Sequence, residues 1–386
     1  MRISIRAAAR VERSRVSTLD YQAPSPSPFK SRDPNLDFLR ASAIAAVMLF
    51  HVAQFWTVKN PTINKLTQLG QFGVELFFVL SGWLIGGLYW RERQETGDVD
   101  LRRFWYRRWL RTLPPYYLGF ALAYTAVRVG RGQPFDFGYF VFVQNYYPRI
   151  PFFVVSWSLC VEEQFYLLLP LLLLLFIRLR ALPVLLLLTV AAPIILRFIE
   201  AAKVAGWPTG SSRTHLRCDA LALGVFCSYL RAYRPVAWAR CQSVARVLVL
   251  PALAGFISIA YWPREKWFGP GLTLVTLTMT LALASVAHRR PLPGARSRVV
   301  YCLAIWSYSI YLTHNLVLLS GSRLSARFAN VPLAIHLLIW VAGMIAFGWV
   351  FFRLVELPAI RMRDRWVPRG IARPDAENFS ELQGAR

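Results

Sequence analysis

A histidine and an arginine lie eleven residues apart in one apolar segment near the start of the chain. The segment runs from Leu36 through Arg40 to His51. At about 100° per residue, eleven residues complete three helical turns, so both side chains lie on one face of a helix, roughly 16 Å apart. Imidazole transfers protons near neutral pH, and a titratable side chain inside a bilayer indicates a functional site. The pattern therefore predicts proton transfer by His51 on a membrane-spanning helix.

Further charged side chains lie in or near the outer halves of other apolar segments. These residues are Glu75, Glu162, Glu163, Arg217, Asp219 and His314. Isolated charges are unstable inside a bilayer, so we expect these groups to face one another across a wet cavity that forms an active site or a substrate path. The alternative is a set of structural pairs between helices, with Arg40–Asp37 and Arg217–Asp219 as members.

The carboxylate pair Glu162-Glu163 follows Trp157 at the outer start of a predicted span. The helix dipole favours carboxylates at this position, which is the structural interpretation. The functional interpretation is that one of them binds a substrate hydroxyl or orients His51. Adjacent helical residues point about 100° apart, so we expect only one carboxylate to face a given partner. Ser81 lies beside Gly82 in a small-residue pattern typical of close helix packing, and nothing indicates that it is a nucleophile.

A basic segment covers residues 102–111 and includes five arginines and several aromatic residues. If this segment is helical, Arg103, Arg107 and Arg111 align at intervals of four residues, with Arg108 beside Arg111. Such a face can hold phosphates through paired hydrogen bonds, while the aromatic rings can stack on a base. An interfacial helix on anionic lipid fits the same pattern equally well.

The elements that must position these groups are apolar helices. Apolar residues make up 56% of the 386-residue chain, and many runs are long enough to span a bilayer. We predict an all-α polytopic membrane protein of about ten transmembrane helices. The predicted spans are 36–56, 72–90, 113–127, 161–177, 182–199, 216–230, 245–262, 270–287, 301–320 and 332–352. Residues 137–147 are apolar but short, which predicts an interfacial or re-entrant segment.

The basic residues are distributed asymmetrically between alternate loops. With a cytoplasmic N-terminus, 31 of the 45 Lys and Arg residues fall on the inner side and 11 on the outer side. This distribution predicts that both termini are cytoplasmic. It also accounts for the net charge of +25, so nucleic-acid binding is not predicted. The five cysteines lack metal-ligand spacing, and no metal site is predicted.

The domain prediction is a disordered basic arm (1–34), a transmembrane domain (35–360) and a cytoplasmic tail (361–386). The arm contains alternating proline and serine, which is typical of disorder.

Several motifs together resemble the acyltransferase 3 family of membrane O-acyltransferases. They are Asp37-Phe38-Leu39-Arg40 with His51, residues 73–85, residues 107–114, residues 157–166, residues 308–314 and Glu356-Leu357-Pro358. The resemblance covers about residues 35–360. Cys160 departs from the family pattern, because a small or hydroxyl residue is more usual there.

The resemblance implies acyl transfer, usually of acetyl, from acyl-CoA to a hydroxyl of a sugar or glycoconjugate such as surface polysaccharide or lipopolysaccharide. It implies a bacterial inner-membrane protein and no metal. The resemblance matches Arg40 and His51 to the family's Arg/His pair, and Arg108 and Arg111 to its Arg-x-x-Arg motif. With the residues identified above, the predicted catalytic residues are His51, Glu162 and Glu163, and the predicted acyl-CoA contacts are Arg40, Arg103, Arg107, Arg108 and Arg111. The expected acceptor contacts are Glu75, Ser81, Trp157, Arg217, Asp219 and His314.

Two other classes of protein remain open at this stage. A proton-coupled transporter or flippase of a sugar-lipid could use the His and Glu cluster as a proton relay, but it has no need of the arginine-rich segment. A non-catalytic membrane assembly protein would tolerate substitution of His51.

Overall fold

The structure is a computed structural model that describes residues 32–55, 60–131, 135–203, 211–325 and 332–368. Most of the predicted N-terminal arm (1–31) and of the predicted tail (369–386) lies outside these residues. Within the described ranges the regular elements are helices and short helical turns, and no strand occurs. The all-α prediction is therefore confirmed. The first residues of the predicted tail belong to the last helix.

Each of the ten predicted spans coincides with one helix. The helices are α1 (Pro34–Phe55), α2 (Pro61–Thr67), α3 (Gly73–Thr96), α4 (Leu101–Arg131), α5 (Ser156–Arg178), α6 (Leu182–Lys203), α7 (Asp219–Tyr233), α8 (Pro235–Ser258), α9 (Leu272–Val286), α10 (Arg298–Ser325), α11 (Leu333–Phe351) and α12 (Leu357–Trp366). The short helices α2 and α12 are additions, and α2 lies in the connection between the first two predicted spans.

Eight of the helical stretches in the described ranges are long and apolar enough to cross a membrane. This number is smaller than the predicted ten because α4 and α7 do not meet the same criteria. Helix α7 has only 15 residues, and α4 carries the arginine-rich segment in its first three turns. Both nevertheless pack within the bundle, and the fold is that of a multi-pass integral membrane protein.

Helices α3 and α7 pack closely through glycines, as the small-residue pattern predicts. A Cβ atom at Gly82 of α3 would overlap the backbone carbonyl of Leu221 on α7. A Cβ atom at Gly224 of α7 would likewise overlap the carbonyl of Val79. Only glycine permits this approach of two backbones, so the pair fixes α7 against the helix that carries Ser81.

Helix α4 contains the whole basic segment and continues through Pro114 and Pro115. Its 31 residues make a helix of about 46 Å, which exceeds the hydrocarbon thickness of a bilayer. The sequence analysis placed residues 102–111 between two predicted spans, 72–90 and 113–127. In the structure they form the first turns of α4, so Arg108 and Arg111 point into the bundle.

The segment between α4 and α5 does not form a spanning helix, as expected. It forms two short 3-10 turns, Phe137–Tyr139 and Gln144–Tyr146. Side chains of the bundle hold it in place. Gln164 of α5 donates to the carbonyl of Phe142 at 2.6 Å, and Asn145 donates to Thr214 at 2.9 Å.

Candidate active site

A cavity with a volume of about 90 Å³ lies among α1, α3, α4, α5 and α10. Polar side chains from all five helices line it: Arg40, Ser81, Arg108, Arg111, Ser158, Glu162, Ser307, Tyr308 and Tyr311. Apolar side chains, including Phe77 and Phe78, line the remainder. Three arginines from α1 and α4 thus converge on one space inside the bundle.

Arg108 lies between two carboxylates and an aromatic ring. Its Nη2 atom is 3.4 Å from Oε2 of Glu162, and its Nε atom is 3.9 Å from Oε1 of Glu163. Its guanidinium lies 4.2 Å from the ring centroid of Tyr166. The expectation that only one of the two glutamates could face a given partner is wrong, because a guanidinium presents N–H groups on more than one edge.

The contact between Arg108 and the glutamate pair also corrects a second expectation. The basic segment and the two glutamates were expected to lie at different depths in the membrane. The sequence analysis placed the basic segment on the inner side and Glu162 and Glu163 at the outer start of a span. Helix α5 begins at Ser156, so Glu162 is almost two turns inside it, and Arg108 is about two turns inside α4. The contact between Arg108 and Glu162 shows that these two positions lie at the same level within the bundle.

Glu162 also accepts a hydrogen bond from Ser81, with 2.8 Å between the hydroxyl and Oε1. The Ser81 hydroxyl is therefore engaged with a carboxylate. No histidine contacts it within the described parts of the chain, which agrees with the expectation that Ser81 is not a nucleophile.

Arg111 meets a carboxylate from the end of the last span. Its Nη2 atom is 3.7 Å from Oε1 of Glu356, which is completely buried. Ser309 of α10 donates to the other oxygen of Glu356 at 2.7 Å. Glu356 ends a π-helical turn, Phe352–Glu356, between α11 and α12. The sequence analysis named this glutamate only as part of a motif and assigned it no role.

Arg40 lines the same cavity but has no carboxylate partner. Within the residues that the structure describes, no hydrogen bond or ion pair to its side chain occurs. The expected Arg40–Asp37 pair does not form, because Asp37 accepts two hydrogen bonds from Arg32, at 2.6 and 3.1 Å. The Arg40 guanidinium is therefore available to an anion in the cavity.

Arg103 and Arg107 do not line the cavity. Arg103 pairs with Glu92 of α3 at 2.5 Å, and Arg107 pairs with Asp364 of α12 at 3.0 Å. Arg107 also donates to the carbonyl of Val367. These two arginines connect the start of α4 to its neighbours, so the five predicted donor-binding arginines divide into a cavity group of three and a peripheral group of two.

His51 and His314 are in direct contact. His314 Nε2 is 3.2 Å from His51 Nδ1, and the ring centroids are 4.7 Å apart. His314 is completely buried, whereas His51 is partly exposed. The ring of Tyr311, which lines the cavity, lies 5.8 Å from that of His314. Tyr311 therefore lies between the basic cavity and the imidazole pair.

The remaining predicted charged residues form buried ion pairs. Arg217 pairs with Glu75 at 2.5 Å, and its guanidinium lies 4.7 Å from the ring centroid of Trp157. Asp219 pairs with Arg197 of α6, and the expected Arg217–Asp219 pair does not form. The alternative of structural pairs between helices therefore describes these contacts better than a shared wet cavity. The two pairs proposed for it, Arg40–Asp37 and Arg217–Asp219, were nevertheless wrong.

Several residues of these networks were missed in the sequence. Arg197 was assigned no role, and Tyr308 and Tyr311 appeared only within a motif. Tyr308 donates to the carbonyl of Thr112 at 2.8 Å, and Tyr311 contacts Ser158 at 2.6 Å between hydroxyl oxygens. The rarity of an arginine within an apolar span was the available signal for Arg197, which lies near the end of the predicted span 182–199.

No group of three or more His, Cys, Asp or Glu side chains in the described ranges could hold a metal ion. The polar chemistry of the site consists of guanidinium, carboxylate, imidazole and hydroxyl groups.

A helical bundle with an arginine-lined cavity and a contacting imidazole pair in its interior defines a multi-pass membrane protein with a polar internal site. A family model described as an acyltransferase domain matches residues 33–358. The chain belongs to this family, acyltransferase 3, and the resemblance noted in the motifs is confirmed.

Curated relatives carry O-acetyltransferase names. The chain is 25% identical over 362 residues to the peptidoglycan O-acetyltransferase OatA of Listeria monocytogenes, covering 84% of this chain and 55% of the relative. It is 24% identical over 364 residues to the O-acetyltransferase OatA of Staphylococcus aureus, covering 84% and 57%. A putative O-acetyltransferase of Staphylococcus aureus is 30% identical over 157 residues, which cover 36% of this chain and 24% of the relative. The chain thus spans about half the length of these two OatA relatives. No solved structure matches it.

Proposed function

We propose that this chain is a membrane-bound O-acyltransferase that transfers an acyl group, most simply acetyl, from acyl-CoA to a hydroxyl of a sugar or glycoconjugate. The observation that carries the proposal is the convergence of Arg40, Arg108 and Arg111 on one cavity that approaches the imidazole pair through Tyr311. Family membership and the O-acetyltransferase names of the relatives support the reaction class. Surface polysaccharide, lipopolysaccharide and other exported glycoconjugates are the acceptors we propose.

The proposed binding site for acyl-CoA, the acyl donor, is inferred from the positive charge of the cavity. Coenzyme A carries several phosphate charges, and guanidinium groups bind phosphate through paired hydrogen bonds. Arg40 makes no hydrogen bond or ion pair with a carboxylate among the described residues, so it is the first candidate for a donor contact. Arg108 and Arg111 lie beside it and contribute further positive charge. Arg103 and Arg107 would contribute only if their pairs with Glu92 and Asp364 opened.

The chemical step requires a base for the acceptor hydroxyl. In our proposal His51 takes this proton while the hydroxyl oxygen attacks the thioester carbonyl. The new carbon–oxygen bond forms, the carbon–sulfur bond breaks, and the proton then passes from His51 to the departing sulfur. A positioned base of this kind contributes roughly 10²–10⁴-fold to the rate.

The carboxylates have supporting roles in this proposal. Glu162 and Glu163, initially assigned as catalytic, both contact Arg108, which supports a role in holding its guanidinium at the cavity. Glu75, Arg217 and Asp219 are engaged in buried pairs, and Trp157 covers Arg217. Their contacts favour a role in shaping the acceptor side over direct contact with the acceptor.

We also propose that the protein lies in a bacterial inner membrane with both termini in the cytoplasm. Acyl-CoA would then enter from the side on which α4 begins, and the acceptor would approach His51 from the outer side. The excess of basic residues in the predicted inner segments supports this orientation.

The test is transfer of radiolabelled acetyl from acetyl-CoA by the purified full chain in nanodiscs, with a mixture of surface glycans as acceptor. We expect labelled ester in the glycan fraction, a loss of at least 100-fold with His51→Ala, and weaker acetyl-CoA binding with Arg108→Ala/Arg111→Ala. Normal transfer by His51→Ala would overturn the assigned base. Movement of a sugar-lipid across the bilayer without consumption of acetyl-CoA would favour a transporter instead.

A further inference from the structure

The hydrogen bonds of the imidazole pair determine which nitrogen of each ring carries its proton. His314 Nδ1 lies 3.2 Å from the carbonyl oxygen of Ile310 and 2.8 Å from that of Tyr311. A carbonyl oxygen only accepts hydrogen bonds, so His314 Nδ1 must donate. The neutral His314 ring therefore has its lone pair on Nε2, which is the atom that faces His51.

The same argument applies to His51. Its Nδ1 atom lies 2.9 Å from the carbonyl oxygen of Val47 in the preceding turn of α1, so this nitrogen must also donate. The second contact of His51 Nδ1 is the lone pair on His314 Nε2, at 3.2 Å. The His51 N–H is thus shared between a carbonyl and the imidazole of His314, and the lone pair of His51 is left on Nε2.

We propose that His314 is a positioning residue for the acyl transfer, which keeps the Nε2 lone pair of His51 ready to accept the acceptor's proton. This inference rests on the proposed function of His51 and replaces the expected contact between His314 and the acceptor. The difference in exposure supports it. His314 is completely buried, whereas His51 is partly exposed.

The proposed step balances in protons. The acceptor hydroxyl loses its proton to His51 Nε2 as its oxygen bonds to the thioester carbon. The resulting imidazolium keeps its Nδ1–H bond to His314 Nε2, and the His314 Nδ1–H remains bonded to the carbonyls of Ile310 and Tyr311. When the carbon–sulfur bond breaks, the proton leaves His51 Nε2 for the sulfur, and both rings are again neutral. The hydrogen bond that His51 Nδ1 donates to His314 Nε2 stabilises the transient imidazolium.

The kinetic test compares two substitutions of His314 with a matched control. His314→Leu removes the hydrogen-bond acceptor of His51 Nδ1, whereas His314→Gln retains an amide oxygen that can accept this hydrogen bond. His215→Leu removes a histidine from the connection before α7 and serves as the control. We expect kcat to fall roughly 100-fold with His314→Leu and less than 10-fold with His314→Gln, with the KM for the acceptor unchanged. A raised KM at unchanged kcat would instead indicate a contact with the acceptor and overturn the proposal, as would unchanged kinetics.

A second measurement does not depend on activity. Nitrogen NMR of ¹⁵N-histidine-labelled protein in nanodiscs reports the tautomer of each ring, and His51→Gln assigns the His51 signals. We expect wild-type His51 to carry its proton on Nδ1 and His314→Gln to retain this state. A wild-type His51 protonated on Nε2 would overturn the inference even if acyl transfer occurs. If the tautomer is as expected but no acetyl is transferred from acetyl-CoA, the proposed function fails while the geometry of the pair stands.

Discussion

Arg197 and Asp219 form a two-pronged ion pair in the interior of the bundle. Each terminal nitrogen of Arg197 lies 2.7 Å from one carboxylate oxygen of Asp219, and both side chains are fully buried. Arg197 also donates to the carbonyl of Leu216 at 2.9 Å. The pair joins the middle of α6 to the first residue of α7 and to the turn that precedes it.

This geometry predicts that single substitutions at the pair destabilise the protein strongly. Asp219→Leu leaves a buried guanidinium without its counter-charge, which costs about 3–5 kcal/mol. The double variant Arg197→Met/Asp219→Leu removes both charges and should recover most of the loss. Thermal unfolding of the solubilised protein, followed by size-exclusion chromatography, measures the effect. Equal destabilisation by the single and double variants would contradict this account.

Gly82 and Gly87 of α3 offer a matched comparison. Gly82→Ala places a methyl group against the backbone of Leu221, so α3 and α7 must separate and the melting temperature should fall. Gly87 has no neighbouring atom within 4 Å of an added Cβ, so Gly87→Ala should be neutral or stabilising, since alanine favours helix by up to about 1 kcal/mol. Thermal melting of both variants in one detergent tests the prediction, and a reversed order would contradict it.

Arg40 should contribute more to donor binding than an arginine outside the cavity. Hydrogen bonds to charged groups contribute about 1.5–3 kcal/mol, so we expect Arg40→Ala to weaken acetyl-CoA binding roughly 10- to 100-fold. Arg178→Ala, at the exposed end of α5, removes the same charge from the surface and is the control. Titration calorimetry with purified protein gives both affinities. Equal losses in the two variants would mean that net charge alone governs binding.

Ser81→Ala separates a supporting hydroxyl from a nucleophile. The Ser81 hydroxyl donates to Glu162, so its removal should lower the acyl-transfer rate by about tenfold or less, in line with the loss of one charge-assisted hydrogen bond. Initial rates of acetyl transfer measure this. Complete loss of activity in a variant with a normal melting temperature would indicate a covalent role for Ser81.

His288, in the connection after α9, should make stability depend weakly on pH. Burial and the neighbouring Arg231 and Arg91 lower the pKa of His288, and the nearby Asp33 opposes them. The unfolded chain therefore takes up the proton at higher pH than the folded chain. Its contribution to stability is present above the usual histidine pKa and is lost as the pH falls below about 6.5. His288→Asn should flatten the decline in melting temperature between about pH 7 and 5, and an unchanged slope would contradict the assignment.

The sequence was sufficient for the helices but not for the partners of the charged residues. The apolar spans can be located from the local composition of the chain, and each predicted span coincides with a helix. Residue counts along α1 and α10 also placed His51 and His314 at similar depth, and these two side chains are in contact. The pairing of Asp219 with Arg197, and of Asp37 with Arg32, depends on which helices are neighbours. The periodicity of one helix contains no information about that arrangement.

Arg108 and Glu162 show a second reason why the sequence predicted the helices but not the contacts between charged residues. The sequence analysis treated the basic segment and the following span as separate elements, because charge and apolarity change abruptly between them. The backbone continues as one helix across this change, and Arg108 is thereby directed into the bundle.

The π-helical turn at Phe352–Glu356 has a consequence for the way in which the chain tolerates insertions and deletions. A π turn contains one residue more than an α turn, so every residue after it is rotated by about 100° relative to a continuous α-helix. Loss of one residue from this turn would leave the composition of the segment almost unchanged, yet it would direct Glu356 away from Arg111 and turn a different face of α12 toward α4. The rotation of α12 about its own axis is thus determined by one additional residue, and not by the apolar pattern on either side of it.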